Sequence, residues 1–166
     1  MTLTRTRLKP GRRELTAAQQ EGYDEVHARS AQVTLAELRK ARGAGEDVEA
    51  RDEILGTGRG GEFSHRRDAS DSQDQDGGFQ PWNGLWVSRA VHDLLHRDFA
   101  FARAGGWRLR SWEDPSLVPV WLSLPYPRWW WIRPAPDGGP HLIVECERQP
   151  TRPRLPFESS VRPMPE

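Results

Sequence analysis

All eight tryptophans of this chain lie after residue 80, and so do 13 of its 14 prolines. Residues 1–80 hold 14 large apolar side chains (Ile, Leu, Val, Met, Phe, Trp, Tyr), against 30 in residues 81–166. Packing needs apolar area to remove from water, so the second half must carry the main core. The averages conceal this division. Over 166 residues there are 24 basic and 24 acidic side chains and no net charge, values that suit a single ordinary soluble domain.

Read along the chain, the composition predicts four segments: 1–55, a basic arm and short, weakly packed helices; 56–80, a Gly/Asp-rich linker; 81–149, an aromatic-rich α+β domain; and 150–166, a Pro/Arg-rich tail. Residues 1–13 are basic and irregular. Thr16 precedes Gln19 and Thr34 precedes Glu37 at the capping-box spacing, which predicts helices over about 17–30 and 35–42, with a further short helix over 46–55. No strand is expected in this half. Residues 56–80 combine Gly56, Gly58, Gly60 and Gly61 with the polar run Asp68–Gly78, which gains too little from burial to offset its ordering entropy. From Leu85 to Ala102 the apolar residues recur on one helical face, Asn83 stands as N-cap, and Gly105-Gly106 ends the pattern. Short β-like runs follow at 107–112, 117–124, 128–133 and 141–147, separated by Pro- and Gly-rich turn sequences. The expected fold is therefore α+β, one amphipathic helix packed on a three- to four-stranded antiparallel meander. Pro119 marks an edge or a bulge.

Several function classes lose support at once. No run of 18 apolar residues exists and the N-terminus lacks an apolar core, so neither a spanning helix nor a secretory signal is expected. Cys146 is the lone cysteine, which excludes an intramolecular disulfide. A cytoplasmic protein is the default. Zero net charge argues against gross attraction to nucleic acid, though not against a local basic patch. Arginine outnumbers lysine 22 to 2. GC-rich coding explains that ratio, and so would recognition of phosphate or carboxylate by the planar guanidinium.

The chemistry-bearing constellations are few. His92-Asp93-Leu94-Leu95-His96 sets two imidazoles one helical turn apart, a metal-binding spacing with Asp93 where hydrolases carry a glutamate base. A third ligand would have to come from His65, His141, Glu145 or Glu147. Gly56–Gly61 fits the dinucleotide-binding glycine pattern but lacks a strand before it and a helical stripe after it. Asp74–Gly77 lacks the first and twelfth ligands of a calcium loop. Cys146 sits between two glutamates, which disfavours a thiolate. The most unusual feature is Trp129-Trp130-Trp131 with Arg108, Arg110, Arg128 and Arg133 within or beside the same runs. Successive strand side chains face opposite ways, so both sheet faces must accommodate tryptophan. Either the indoles are core, or one face is an aromatic and cationic binding surface.

Val33-Thr-Leu-Ala-Glu-Leu-Arg-Lys-Ala-Arg-Gly43 resembles the opening helix of the Xre-type helix-turn-helix repressors and related antitoxins. The resemblance implies a regulatory role linked to DNA; Ala44–Ala50 stands where that family places its turn and the start of its recognition helix.

The reading is a non-enzymatic binding or accessory protein without cofactor. It would use Trp129, Trp130, Trp131, Arg108, Arg110, Arg128 and Arg133 to contact a protein partner, with nucleic acid as a further candidate and no membrane. The alternatives are a metal-dependent hydrolase using His92 and His96, and a poorly selected open reading frame with no defined activity.

Overall fold

The computed structural model describes residues 15–68 and 78–158. The basic arm and most of the polar run, Asp74–Gly77 included, fall outside the described residues. Among the described residues the architecture is α+β, four α-helices with two small antiparallel sheets.

Both capping boxes form as the sequence predicts. Thr16 and Thr34 accept from the backbone N–H groups of Gln19 and Glu37, whose side chains accept from the backbone N–H groups of Thr16 and Thr34. They open α1 (Ala17–Ala31) and α2 (Leu35–Gly43). No helix forms over 46–55. There Asp52 turns inward, and its Oδ1 accepts from the backbone N–H groups of Ile54 and Leu55.

The segment expected to be a linker holds a strand. β1 (Glu62–His65) pairs antiparallel with β2 (Gly84–Val87), Phe63 opposite Trp86. The single helix expected over 85–102 is corrected to three elements: β2, α3 (Arg89–Arg97) and α4 (Phe99–Ala104). Capping supplies the reason. Ser88 accepts from Val91 N–H and Asp98 from Phe101 N–H, so each starts a new helix where the apolar periodicity runs on.

Three of the four expected meander strands form. β3 (Val120–Leu122), β4 (Arg128–Arg133) and β5 (Leu142–Glu145) lie in the order β3-β4-β5, while 107–112 is not a strand. At that point Gly106 takes φ +71°, and a Cβ there would lie 2.2 Å from Pro119 O. Beyond it, Leu109 N–H donates to Arg66 O and leaves the sheet direction. A 3-10 turn, Pro115–Leu117, leads into β3.

The main core joins Leu85, Val91, Leu95, Trp107, Trp130 and Ile132 with other buried residues of the second half. It reaches back to Ile54. A second cluster, Val26, Ala50 and Trp86, ties α1 to β2, with His27 stacked on Trp86 at 4.7 Å. The described residues of the first half therefore contribute to the same packing through α1, Ala50, Ile54 and Phe63. Arg66 fixes the centre. It is fully buried and donates to Gly106 O, Trp82 O, Pro115 O and Val118 O at 2.8–3.0 Å. No helix among the described residues is long and apolar enough to cross a membrane.

Candidate binding surfaces

Register decides which tryptophans share a face. Trp121 lies opposite Trp129, Trp131 opposite Val144, and Arg133 opposite Leu142, so these side chains line one side of the sheet. Val120, Trp130, Ile132 and Ile143 line the other. On that second side Val120, Trp130 and Ile132 join the main core with Leu85, Val91 and Leu95, and Ile143 lines a cleft with Ala28, Arg29 and Val33. On the first side the C-terminal segment supplies part of it. Arg152 stands over the Trp121 ring at 5.8 Å, and Leu155 packs on the core.

The seven residues expected to form one binding face thus separate. Trp129 and Trp130 are core, 4% and 5% exposed. Their indole Nε1 atoms have no hydrogen-bond partner among the described residues. An unmade bond costs about 1–3 kcal/mol, whereas burying 150–250 Å² at about 25 cal/mol per Å² returns about 4–6 kcal/mol. Burial wins. Arg108 is also buried and pairs with Asp68 at 2.9 Å. Arg110 is exposed in the 107–112 turn, 5.4 Å over Trp112. Arg128 pairs with Glu145 at 3.3 Å. Trp131 is half-buried, with the Arg133 guanidinium 4.7 Å over its ring.

What remains open is a strip of Trp131, Arg133, Leu142 and Val144, the last two 44% and 42% exposed. It borders β5, the sheet's outer strand. The opposite edge is closed, since Trp121 N–H donates to Gly105 O and Ser123 N–H to Glu53 O. Beyond its pairing with β4, the β5 backbone makes no hydrogen bond to another segment among the described residues.

His92 and His96 do meet on α3, their rings 4.5 Å apart. Asp93, proposed as the base, is held by Arg89 at 3.1 Å. The Arg108 guanidinium lies 3.5 Å from the His96 ring, and burial followed by that positive charge lowers the His96 pKa. A cation beside the ring repels a second cation. Among the described residues no group of three or more His, Cys, Asp or Glu could hold a metal ion. His141, one of the candidate third ligands, is committed elsewhere.

That commitment is the polar cluster the sequence did not reveal. His141 Nδ1 faces Glu25 Oε2 at 3.1 Å, and His141 Nε2 faces Arg29 Nη1 at 3.2 Å. Arg29 forks onto Glu53 through Nε at 2.6 Å and Nη2 at 3.0 Å, and also donates to Pro81 O and Gly84 O. Glu53 accepts Trp86 N–H as well. Because arginine only donates, His141 Nε2 must accept, so the ring is neutral with its proton on Nδ1 toward Glu25. Burial, first of all, lowers its pKa, and the Arg29 charge acts in the same sense. The arrangement clasps α1 to the β4–β5 hairpin and leaves no ring nitrogen free to serve as a base. Clefts open on both sides of it, one of about 260 Å³ between α1 and the hairpin and one of about 300 Å³ toward α2.

α2 ends at Gly43, and residues 45–50 are not helical, so a second helix does not follow in the repressor manner. No family model, curated protein or solved structure matches the chain.

Proposed function

We propose that the chain is a non-enzymatic binding protein whose β5 edge accepts an extended segment of a protein partner. The unpaired backbone of β5, set beside the exposed Leu142 and Val144, carries this reading. Strand addition takes its affinity from main-chain hydrogen bonds and its specificity from alternate side chains. Trp131 and Arg133 extend the strip. The Arg133 guanidinium has an aromatic face beneath it and no carboxylate in ion-pair contact among the described residues, so it favours an acidic side chain on the incoming strand. Nucleic acid fits less well. Arg128 is already paired with Glu145 and is not free for a phosphate.

A peptide library displayed on phage, panned against the full chain, should return segments that alternate apolar and acidic residues. Their affinity should fall at least about tenfold, the equivalent of 1.4 kcal/mol, in a Leu142→Thr/Val144→Thr double variant with an unchanged melting temperature. Arg133→Gln should remove the acidic preference. No enrichment, or undiminished affinity in the double variant, would sink the proposal.

A further inference from the structure

A cleft of about 550 Å³ opens where α4, the 106–110 turn and the C-terminal segment meet. It is remote in kind from the β5 strip, because it is concave and mostly apolar. Its walls are built by Phe99, Ala104, Leu109, Val118, Pro119 and Trp129. The size falls in the range of about 300–1,000 Å³ that receives small molecules.

The charges at its mouth are not equivalent. Arg103 is consumed by Glu113, to which both of its terminal nitrogens donate, Nη2 to Oε1 at 2.7 Å. Glu113 Oε2 also accepts the Arg110 backbone N–H at 2.8 Å. The Arg110 guanidinium makes no ion pair with a carboxylate among the described residues; it lies 5.4 Å over the Trp112 ring, and its charge acts on Glu113 from beyond ion-pair distance. The cleft therefore has on its lining one arginine without an ion pair, Arg110, and one, Arg103, whose charge is balanced by Glu113. That combination selects a ligand with an apolar body and a single negative charge. A planar carboxylate matches the guanidinium fork with two parallel hydrogen bonds.

We propose that this cleft binds a small hydrophobic carboxylate, its apolar body between α4 and Trp129 and its head on Arg110. The proposal stands apart from the strand-addition reading, and either can fail without the other.

The probe is 4-phenylbutyrate, titrated into the full chain and followed by the indole ¹H–¹⁵N signal of Trp129, assigned with Trp129→Phe. Saturable, one-to-one perturbation is expected. The uncharged 4-phenylbutanol should bind at least tenfold more weakly, and so should 4-phenylbutyrate to Arg110→Gln. Ala104→Trp should abolish binding by filling the pit. Ala104 is exposed, so this variant should keep the wild-type melting temperature; Ala100→Trp, on the same wall and also exposed, provides a second blocking variant if it does not. The proposal is overturned if the perturbation does not saturate, if the alcohol binds as well as the acid, or if a folded blocking variant binds undiminished.

Discussion

At the scale of single residues, arginine acts here as a structural donor more than as a surface cation. Arg66 is buried without a carboxylate in ion-pair contact among the described residues, and desolvation foremost, then the Arg29 charge, lowers its pKa to about 9. It is still charged at neutral pH, held by four carbonyls from three separate segments. Only a planar fork reaches them all; a lysine ammonium has three donors at one point. Arg66→Met would leave these carbonyls short of donors in a dry site, at a cost of about 3–5 kcal/mol. Arg66→Lys should recover only part of it. Urea denaturation measures both, and a loss below about 1 kcal/mol for Arg66→Met would show that the carbonyls find other partners. The sequence gives no warning of this role, since Arg66-Arg67 reads as an ordinary polar pair.

At the scale of elements, what was legible was local. The two capping boxes need only residues three apart, so α1 and α2 emerge nearly to their ends. β3, β4 and β5 are marked by apolar runs between turn sequences. β1 is not, because Glu62-Phe-Ser-His carries one large apolar residue and owes its form to β2, some twenty positions on. Trp107 and Leu109 imitate a strand's alternation, yet Gly106 and the Arg66 carbonyl redirect the chain. The Trp/Arg face was legible as a composition but not as a surface, because burial sorts neighbouring residues by register. The clasp was invisible for a plainer reason: Glu25 and Arg29 lie more than a hundred residues from His141. It carries a pH dependence. His141 has its pKa lowered from 6.5 in the folded chain, so the folded state favours the neutral ring. Its contribution is present in full above about pH 6.5 and is lost as pH falls through the lowered folded value, with a slope of at most about 1.4 kcal/mol per pH unit. Stability measured from pH 8 to pH 5 should fall more steeply in the wild type than in His141→Gln. Parallel curves would remove His141 as the cause.

At the scale of the whole molecule, the apolar imbalance between the halves predicts a folded second half with an appendage, but the contacts favour one cooperative unit. Nearly all large apolar residues of the main cluster lie after residue 80, whereas hydrogen bonds from buried or partly buried polar groups join the halves: Arg29 to Gly84, Glu53 to Trp86 N–H, His141 to Glu25, Asp52 Oδ2 to Ser88 N–H at 2.7 Å, and Arg66 to the loop before β3. Such bonds have little worth singly in water, and they are strong only while the whole body excludes water. Losing either half exposes the other's buried charges, so partial unfolding is costly. Calorimetry should therefore show a single transition, with van't Hoff and calorimetric enthalpies equal, at about 110 kcal/mol for a chain of this length. Glu53→Gln, which leaves Arg29 buried without its counter-charge, should lower that transition as a whole, by about 3–5 kcal/mol of stability, without splitting it. Two resolved transitions would restore the division near residue 80. A broad, uncooperative melt is what an unselected reading frame would give, because random translation can supply tryptophan and arginine but not carboxylates, guanidinium groups and carbonyls placed to satisfy one another across the chain.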